Sequence, residues 1–118
     1  MKSRLPILLL ILFLLMVAFA VATRADAAPP NPKMPAVLAR IGKCETGMNW
    51  QHSTRDYATA FGIHRAAWQD YRKYVPNAPR RPEDATPAQQ VAVALAIYRH
   101  AGAGWHAWGC YRHAWVRG

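Results

Sequence analysis

The stretch KCETGMNW, residues 43–50, lies where a helical pattern ends and contains the features that decide the fold. Upstream of it, apolar side chains recur at the spacing of one helix face, at Val37, Leu38, Ile41 and Cys44. Gly47 follows at the position of a C-terminal cap, where glycine accepts the left-handed conformation that closes a helix. We therefore predict a helix over residues 35–46.

Glu45 is the acidic residue of this stretch, and its place on the helix bears on its chemistry. It follows Ile41 by four residues and Leu38 by seven, so it should share their apolar face. The negative end of the helix dipole, and partial burial beside an aromatic such as Trp50, should both raise its pKa. A carboxylic acid protonated near neutral pH can donate a proton to a glycosidic oxygen. From these residues alone, Glu45 is either a general acid or a solvated charge at a helix end.

Beyond this stretch, the pattern predicts a less regular segment and then a second helix. Residues 51–63 mix polar and apolar types and are expected to form a loop or a small hairpin. The second helix, over residues 65–74, would bury Trp68 and Tyr71 and end before Pro76.

A third helix is indicated after the Pro-rich loop PNAPRRPED, residues 76–84. Thr86, Pro87 and Gln89 fit the N-cap, N1 and N3 positions of a capping box. The helix PAQQVAVALAIYRHA, closed by Gly102, is apolar almost all round, which is typical of a central helix.

The N-terminal part of the chain has the composition of a targeting segment. Two basic residues precede an apolar run over residues 7–22, and Ala25-Asp26-Ala27 offers small residues at the spacing that a signal peptidase reads. We expect a signal peptide over residues 1–27, a Pro-rich lead over 28–35 and one folded domain over 36–118. The protein would then be secreted or associated with the cell wall. An uncleaved anchor is the alternative, and membrane contact is expected through this segment alone.

The charge of the chain favours an anionic partner. Fifteen Lys and Arg face six Asp and Glu, a formal charge of +9; removal of residues 1–27 leaves twelve against five, a charge of +7. For an exported protein the candidate partners are cell-wall polymers or a membrane surface, and intracellular nucleic acid is disfavoured by the expected location outside the cell. Because the basic residues are scattered, they form either a binding stripe or a generally solvated surface.

Cys44 and Cys110 are the two cysteines of the chain, and an even count in an exported protein predicts one disulfide. A bridge over this span should stabilise the fold by about 4 kcal/mol. Two free thiols or a metal-binding pair are the alternatives. The five histidines show no metal-ligand spacing, and no cofactor motif is present, so we expect neither a metal nor a cofactor.

Several motifs together resemble one known family. CETGMNW resembles the C-E-[ST]-G-x-N-W signature of the resuscitation-promoting-factor-like, or transglycosylase-like, domain of actinobacterial cell-wall proteins, a miniature lysozyme fold. In the same order, STRDYATAFGIHRAAW resembles its threonine, aromatic, glycine-rich turn and tryptophan segment; TPAQQVAVALAIY resembles its E-Q-x-x-x-A helix; and GWHAWGC resembles its G-W-x-x-W-x-x-C close. The similarity covers residues 36–112 and places both cysteines at the family's disulfide positions.

The resemblance implies roles for individual residues. It makes Glu45 the catalytic acid, puts Thr54 on the cleft threonine, and puts Trp50 and Trp68 on aromatic substrate-binding positions. The chain departs from the family at the G-G-L-Q-F turn, which here is TAFGI, residues 59–63, so that Gly62 replaces the glutamine expected to reach the sugar.

Asp56 is the acidic residue between Glu45 and the second helix. It either enters the cleft as a second carboxylate, which a hydrolase would use, or serves as a turn residue. With one carboxylate, Glu45 could protonate the leaving oxygen and then activate water or the muramic acid 6-hydroxyl, the latter giving a 1,6-anhydro product.

An aromatic-rich tail contains Trp105, Trp108, Tyr111 and Trp115. We expect Trp105 and Trp108 to pack against the first helix across the disulfide, with stacking on sugar rings as the alternative.

The expected fold is mainly α, an α+β lysozyme-like domain with a short hairpin or loop lobe and one disulfide. The expected function is cleavage of the MurNAc-GlcNAc β-1,4 bond of peptidoglycan by a monomer, with a wall peptidase as a candidate partner. A catalytically silent wall-binding module is the alternative. A cationic membrane-active protein would explain the charge but not the glutamate beside Cys44.

Overall fold

The computed structural model describes residues 7–13 and 31–118. Residues 7–13 are helical, and Asn31–Gly118 form a compact unit. Most of the predicted signal peptide and the first residues of the Pro-rich lead lie outside the described residues, so both stay predictions. Within the described ranges, no helix combines the length and the apolar character that crossing a membrane requires.

The predicted first helix is confirmed as α1, Ala36–Thr46. Leu38 and Ile41 are fully buried on one face, as their spacing indicated. Gly47 closes the helix with φ 70°, and its N–H donates to the Lys43 carbonyl at 3.0 Å.

For the segment after α1 the sequence allowed either a loop or a small hairpin, and the structure shows a hairpin. Strands β1, Tyr57–Ala58, and β2, Ile63–His64, pair antiparallel with Tyr57 opposite His64 and Ala58 opposite Ile63. Its tight connection contains two left-handed residues, Thr59 with φ 75° and Gly62 with φ 57°.

The second helix is shorter than predicted. α2 spans Arg65–Tyr71, and Arg72–Tyr74 continue it as a 3₁₀ turn. Val75 then adopts an extended conformation, with φ −117° and ψ 112°, because a residue before proline is sterically excluded from the helical region. The chain therefore tightens before it stops, which is common at helix ends.

The third helix, α3, spans Pro87–His100 and confirms the predicted capping box. The Thr86 hydroxyl accepts from the Gln89 N–H at 3.2 Å, and the Gln89 side chain accepts from the Thr86 N–H at 2.9 Å. Gln90, only 2% exposed, accepts from the Ala60 N–H and donates to the Trp50 carbonyl. This one side chain therefore joins the central helix to the hairpin and to the segment after α1.

The C-terminal part consists of two 3₁₀ turns, Gly104–Ala107 and Gly109–Arg112, and a short helix α4, Ala114–Arg117. The predicted disulfide is confirmed: Cys44 and Cys110 are bonded, with a Cα–Cα distance of 6.1 Å. Arg40 on α1 also donates from Nε to the Val116 carbonyl at 2.8 Å. The end of α1 is thus tied to the second turn by a covalent bond, and its middle to α4 by a hydrogen bond.

A single core lies between the helices and under the hairpin. Its largest fully buried apolar side chains come from α1, the hairpin connection, α2, α3 and α4: Leu38, Ile41, Phe61, Trp68, Val93 and Val116. The described unit is therefore a small, mainly helical domain with a two-stranded hairpin and one disulfide, which confirms the predicted mainly-α, lysozyme-like fold class.

Candidate active site

Glu45 lines a cavity of about 360 Å³ between the end of α1, the hairpin and the C-terminal turns. The other lining residues are Tyr57, Gly62, Ala107, Trp108, Gly109, Cys110 and Arg112. Among these, Glu45 is the acidic side chain.

The Glu45 carboxylate is held by a backbone group from the far end of the domain. The Cys110 N–H donates to Oε1 at 3.1 Å, across 65 residues of sequence. Cys110 is bonded to Cys44, the residue immediately before Glu45, so the disulfide fixes donor and acceptor together. The predicted inward orientation of Glu45 is confirmed, since the residue is half-buried and lines the cavity.

The second carboxylate oxygen faces the hairpin. A Cβ added at Gly62 would lie 3.7 Å from Glu45 Oε2 and 3.6 Å from Glu45 Cβ, an ordinary van der Waals contact. Gly62 thus brings bare backbone against the carboxylate, at the position where the family pattern has glutamine. Its φ of 57° also favours glycine, because a Cβ is strained in this region.

A second cavity of about 310 Å³ shares Tyr57, Gly62, Ala107 and Trp108 with the first. We call the two adjoining cavities the groove. Away from Glu45, the second cavity is bounded by Ile63, His64, Ala67, Tyr71, Ile97 and Ala101, a mostly apolar and aromatic set. The groove is therefore longer than the immediate surroundings of the acid, as a site for an extended chain requires.

Trp108 forms the floor that both cavities share. It is 5% exposed, and its Nε1 donates to the Phe61 carbonyl at 3.0 Å, in the hairpin connection. Trp108 therefore belongs to the core cluster that also contains Leu38 and Ile41 of α1, and it lines both cavities of the groove. Trp105 is half-buried against the same core, and its ring stacks on Tyr98 of α3 with centroids 4.1 Å apart.

Thr54, predicted to contact substrate, lies at the start of the hairpin and does not line the groove. Its Oγ1 donates to the Tyr57 carbonyl and accepts from the Tyr57 N–H, both at 3.1 Å. These bonds hold Tyr57, a residue that is 48% exposed and lines both cavities. Thr54 thus orients a residue of the groove through the backbone.

Asp56 occupies the turn between Thr54 and β1, as the second of its two predicted roles requires. Its side chain is 62% exposed, with a carboxylate oxygen 3.9 Å from Arg55 Nε, and it lines neither cavity. Its carbonyl accepts from the Arg65 N–H at 3.0 Å, which closes the base of the hairpin. The structure does not bring Asp56 to Glu45 as a second carboxylate of the cavity.

The two predicted aromatic contacts also lie outside the groove. Trp68 is fully buried, and its Nε1 donates to the Pro79 carbonyl at 2.9 Å, so its ring has no surface to offer a sugar. Its assignment as a substrate-binding residue is therefore corrected to a core residue. Trp50 is half-buried, packs edge-to-face on Phe61 with centroids 5.7 Å apart, and lines neither cavity.

Three of the groove features that sequence reasoning missed are polar or aromatic groups close to Glu45: Tyr57, Arg112 and the Cys110 N–H. The sequence signal for Tyr57 was its place after the cleft threonine. Arg112 follows the second cysteine by two residues, so the disulfide already indicated that it would lie near Glu45. A backbone donor such as the Cys110 N–H cannot be recognised from the sequence, because residue type does not show which backbone groups bind a side chain.

Across residues 7–13 and 31–118, no group of three His, Cys, Asp or Glu side chains is arranged to hold a metal ion.

Comparison with known proteins gives the family. No curated protein and no solved structure matches the chain. The family model described as transglycosylase-like domain matches residues 33–111, more than half of the chain and all of the groove except Arg112. That description supports a peptidoglycan-related activity of the glycosidase or transglycosylase kind. With this match and the mainly helical, disulfide-bonded fold around Glu45, the chain belongs to the transglycosylase-like domain family.

Proposed function

We propose that the protein cleaves the MurNAc-GlcNAc β-1,4 bond of peptidoglycan, with Glu45 as the general acid. The observation that carries the proposal is the half-buried carboxylate of Glu45, which lines the groove and is held through Oε1 by the Cys110 N–H. Because that N–H donates to Oε1, a proton on Glu45 resides on Oε2, the oxygen that faces the hairpin side of the cavity. A glycosidic oxygen placed there accepts this proton as the bond to the anomeric carbon breaks.

The second half of the reaction follows from the carboxylates available. A hydrolase of the usual kind employs two carboxylates at a defined separation, and Asp56 does not line the groove. After it has protonated the leaving oxygen, the Glu45 carboxylate can remove the proton of the muramic acid 6-hydroxyl. The 6-oxygen then bonds to the anomeric carbon, which closes a 1,6-anhydro ring and restores the protonated Glu45. Proton and bonds balance without water, which makes the lytic transglycosylase route the preferred form of the proposal.

Export belongs to the same proposal. The Cys44–Cys110 disulfide suits an oxidising compartment, which supports a signal peptide over residues 1–27 and action on the wall from outside the cell.

Glu45→Gln tests the proposal, because the amide keeps the shape and still accepts the Cys110 N–H but cannot donate the proton. Fragment release from purified peptidoglycan should fall by about 10²-fold or more, while sedimentation with insoluble wall stays nearly unchanged. Asp70→Asn, at an exposed position on α2, is the matched control and should retain full release. Mass analysis should show products lighter by one water than hydrolysis products. Release that survives Glu45→Gln would exclude Glu45 as the acid.

A second candidate is a catalytically silent wall-binding module, favoured by Gly62. At this position the chain presents only backbone to Glu45, where a polar side chain of the family pattern would hold the sugar. The binding module is supported if the unaltered protein sediments with the wall yet releases no fragment.

A further inference from the structure

Arg112 lines the same cavity as Glu45 and is the cationic side chain of that cavity. It is the last residue of the 3₁₀ turn Gly109–Arg112, two residues after the Cys110 N–H that holds the Glu45 carboxylate. The acid and the cation therefore belong to one rigid wall of the groove.

The turn that presents Arg112 is fixed from both sides. On one side, Cys110 is disulfide-bonded to α1. On the other, Arg117 Nη1 donates to the Arg112 carbonyl at 2.6 Å and to the Tyr111 carbonyl at 3.2 Å. Because the backbone is already held, binding an anion at Arg112 needs to order only the side chain, which lowers the entropy cost of binding.

The Arg112 guanidinium is available to a ligand. The ion pairs formed within residues 31–118 are Arg65 with Glu83 and Arg55 with Asp56, and neither involves Arg112. Arg65 shows the contrast, because its side chain is occupied by a carboxylate and by backbone carbonyls of the hairpin.

The charge of the cavity explains why a cation is useful at this position. Among the residues that line this cavity, Glu45 is an acid and Trp108 and Ala107 are uncharged, so Arg112 is the side chain there that can attract a carboxylate. Muramic acid carries a lactyl carboxylate, which is either free or amide-linked to a stem peptide with carboxylates of its own. A guanidinium binds a carboxylate through two parallel hydrogen bonds, which fixes its orientation as well as its charge.

We propose that Arg112 is a specificity-determining residue that binds a carboxylate of the wall glycan at the mouth of the groove. The inference rests on the proposed function, since it assigns to the same site a preference for anionic over neutral strands.

The test compares chemically matched substrates. Peptide-stripped glycan strands with free lactyl carboxylates, the same strands with these groups amidated, and peptide-bearing strands are given to the unaltered protein, Arg112→Gln, Arg112→Lys and Arg99→Gln. Arg99 lies on α3 outside the groove and serves as the control. The unaltered protein should prefer a carboxylate-bearing strand over the amidated strand by about fivefold to tenfold in KM.

Arg112→Gln should abolish this preference by raising KM for the anionic strand, with kcat within about twofold, and Arg112→Lys should restore part of it. Preference confined to stripped strands identifies the lactyl carboxylate, and preference confined to peptide-bearing strands identifies the stem peptide. Either result supports the proposal. A preference that survives Arg112→Gln, or an equal loss on charged and amidated strands, would overturn it.

Binding in a Glu45→Gln background separates this proposal from the proposed reaction. Dissociation constants for the three strands, measured with Glu45→Gln and with Glu45→Gln plus Arg112→Gln, require no turnover. If the protein releases no fragment but distinguishes charged from amidated strands through Arg112, the role of Arg112 is supported and the cleavage reaction is contradicted. If the protein cleaves the strands but binds charged and amidated strands equally, the cleavage reaction is supported and the role of Arg112 is contradicted.

Discussion

The two walls of the groove are built by different means. The acid wall, Glu45, Cys110 and Arg112, is joined by a disulfide and by a backbone hydrogen bond across 65 residues. The hairpin wall, Tyr57 and Gly62, stands on strands of two residues each and has no covalent link to the rest of the domain beyond the chain itself; core packing of Phe61 and hydrogen bonds hold it. Its family pattern is also altered, at Gly62. The comparison indicates that a covalent bond fixes the wall that contains Glu45, whereas the opposite wall depends on noncovalent packing and hydrogen bonds.

The hairpin wall is nevertheless anchored from below. Gln90 on α3 accepts from the Ala60 N–H, and Trp108 donates to the Phe61 carbonyl. The Thr46 hydroxyl, at the end of α1, donates to the Ala60 carbonyl at 2.6 Å. The base of this wall is therefore firm, and the difference between the walls concerns the exposed strands above it.

Loss of the disulfide should have the largest effect on stability and should remove the distinction between the walls. Cys44→Ser with Cys110→Ser frees a span of 66 residues, which should lower the free energy of unfolding by about 4 kcal/mol and the melting temperature by roughly 15 °C or more. Thermal unfolding of the oxidised, reduced and substituted proteins measures this. The unaltered protein should show no alkylatable thiol before reduction; two reactive thiols would contradict the bridge.

A side chain at Gly62 should have an intermediate effect, confined to the hairpin wall. Gly62→Ala meets no close atom, since its Cβ would lie at least 3.6 Å from Glu45, but it forces alanine into a φ of 57°. This should cost about 1 to 2 kcal/mol, and Gly62→Asn should cost less. Gly109→Ala, on the acid wall, has an open Cβ position and should unfold at the same temperature as the unaltered protein. Equal losses at both glycines would show that backbone conformation is not the cause.

The smallest effect is expected at the outer edge of the hairpin, where Arg65 pairs with Glu83. The Arg65 guanidinium, through a charged hydrogen bond, lowers the pKa of Glu83 to about 2 from its ordinary value of 4.5. Since the folded-state pKa is depressed, the pair stabilises the fold above about pH 4.5 and this stability is lost as the pH falls toward 2. Exposure of 34% and 22% for the two side chains allows screening, so the shift in melting temperature should be a few degrees at most.

Glu83→Gln isolates that contribution. Between about pH 6 and about pH 3 its melting temperature should fall less than that of the unaltered protein, and the exposed neighbour substitution Asp84→Asn should follow the unaltered protein. Identical pH dependence for Glu83→Gln and the unaltered protein would rule out the pair as a source of acid sensitivity.

Local sequence features predicted the elements that build the acid wall, namely α1 and the disulfide. The spacing of Leu38 and Ile41 placed α1, Gly47 ended it, and the cysteine count gave the bridge. The capping box at Thr86 likewise located the central helix. Each of these predictions depends on residues a few positions apart, except the disulfide, for which two cysteines allow one pairing.

The contacts of the groove were less accessible, because they join distant parts of the chain. Trp68 matched an aromatic position of the family, yet its ring is buried under the Pro-rich loop. Thr54 contacts backbone groups of Tyr57, and the donor to Glu45 is the backbone N–H of Cys110. Every residue except proline has such an N–H, so neither role can be inferred from side-chain identity. Side-chain chemistry was predictable, and the three-dimensional neighbours of each side chain were not.

The hydrogen bond between the Cys110 N–H and Glu45 has a consequence for the order of events in folding. A contact between residues 65 positions apart requires closure of a long loop, whereas α1 and the capping box form from neighbours. A partly folded chain can therefore contain its helices without the contact that holds Glu45. Such intermediates would lack the contact that holds Glu45, and the proposed activity would arise only after this long-range contact has formed.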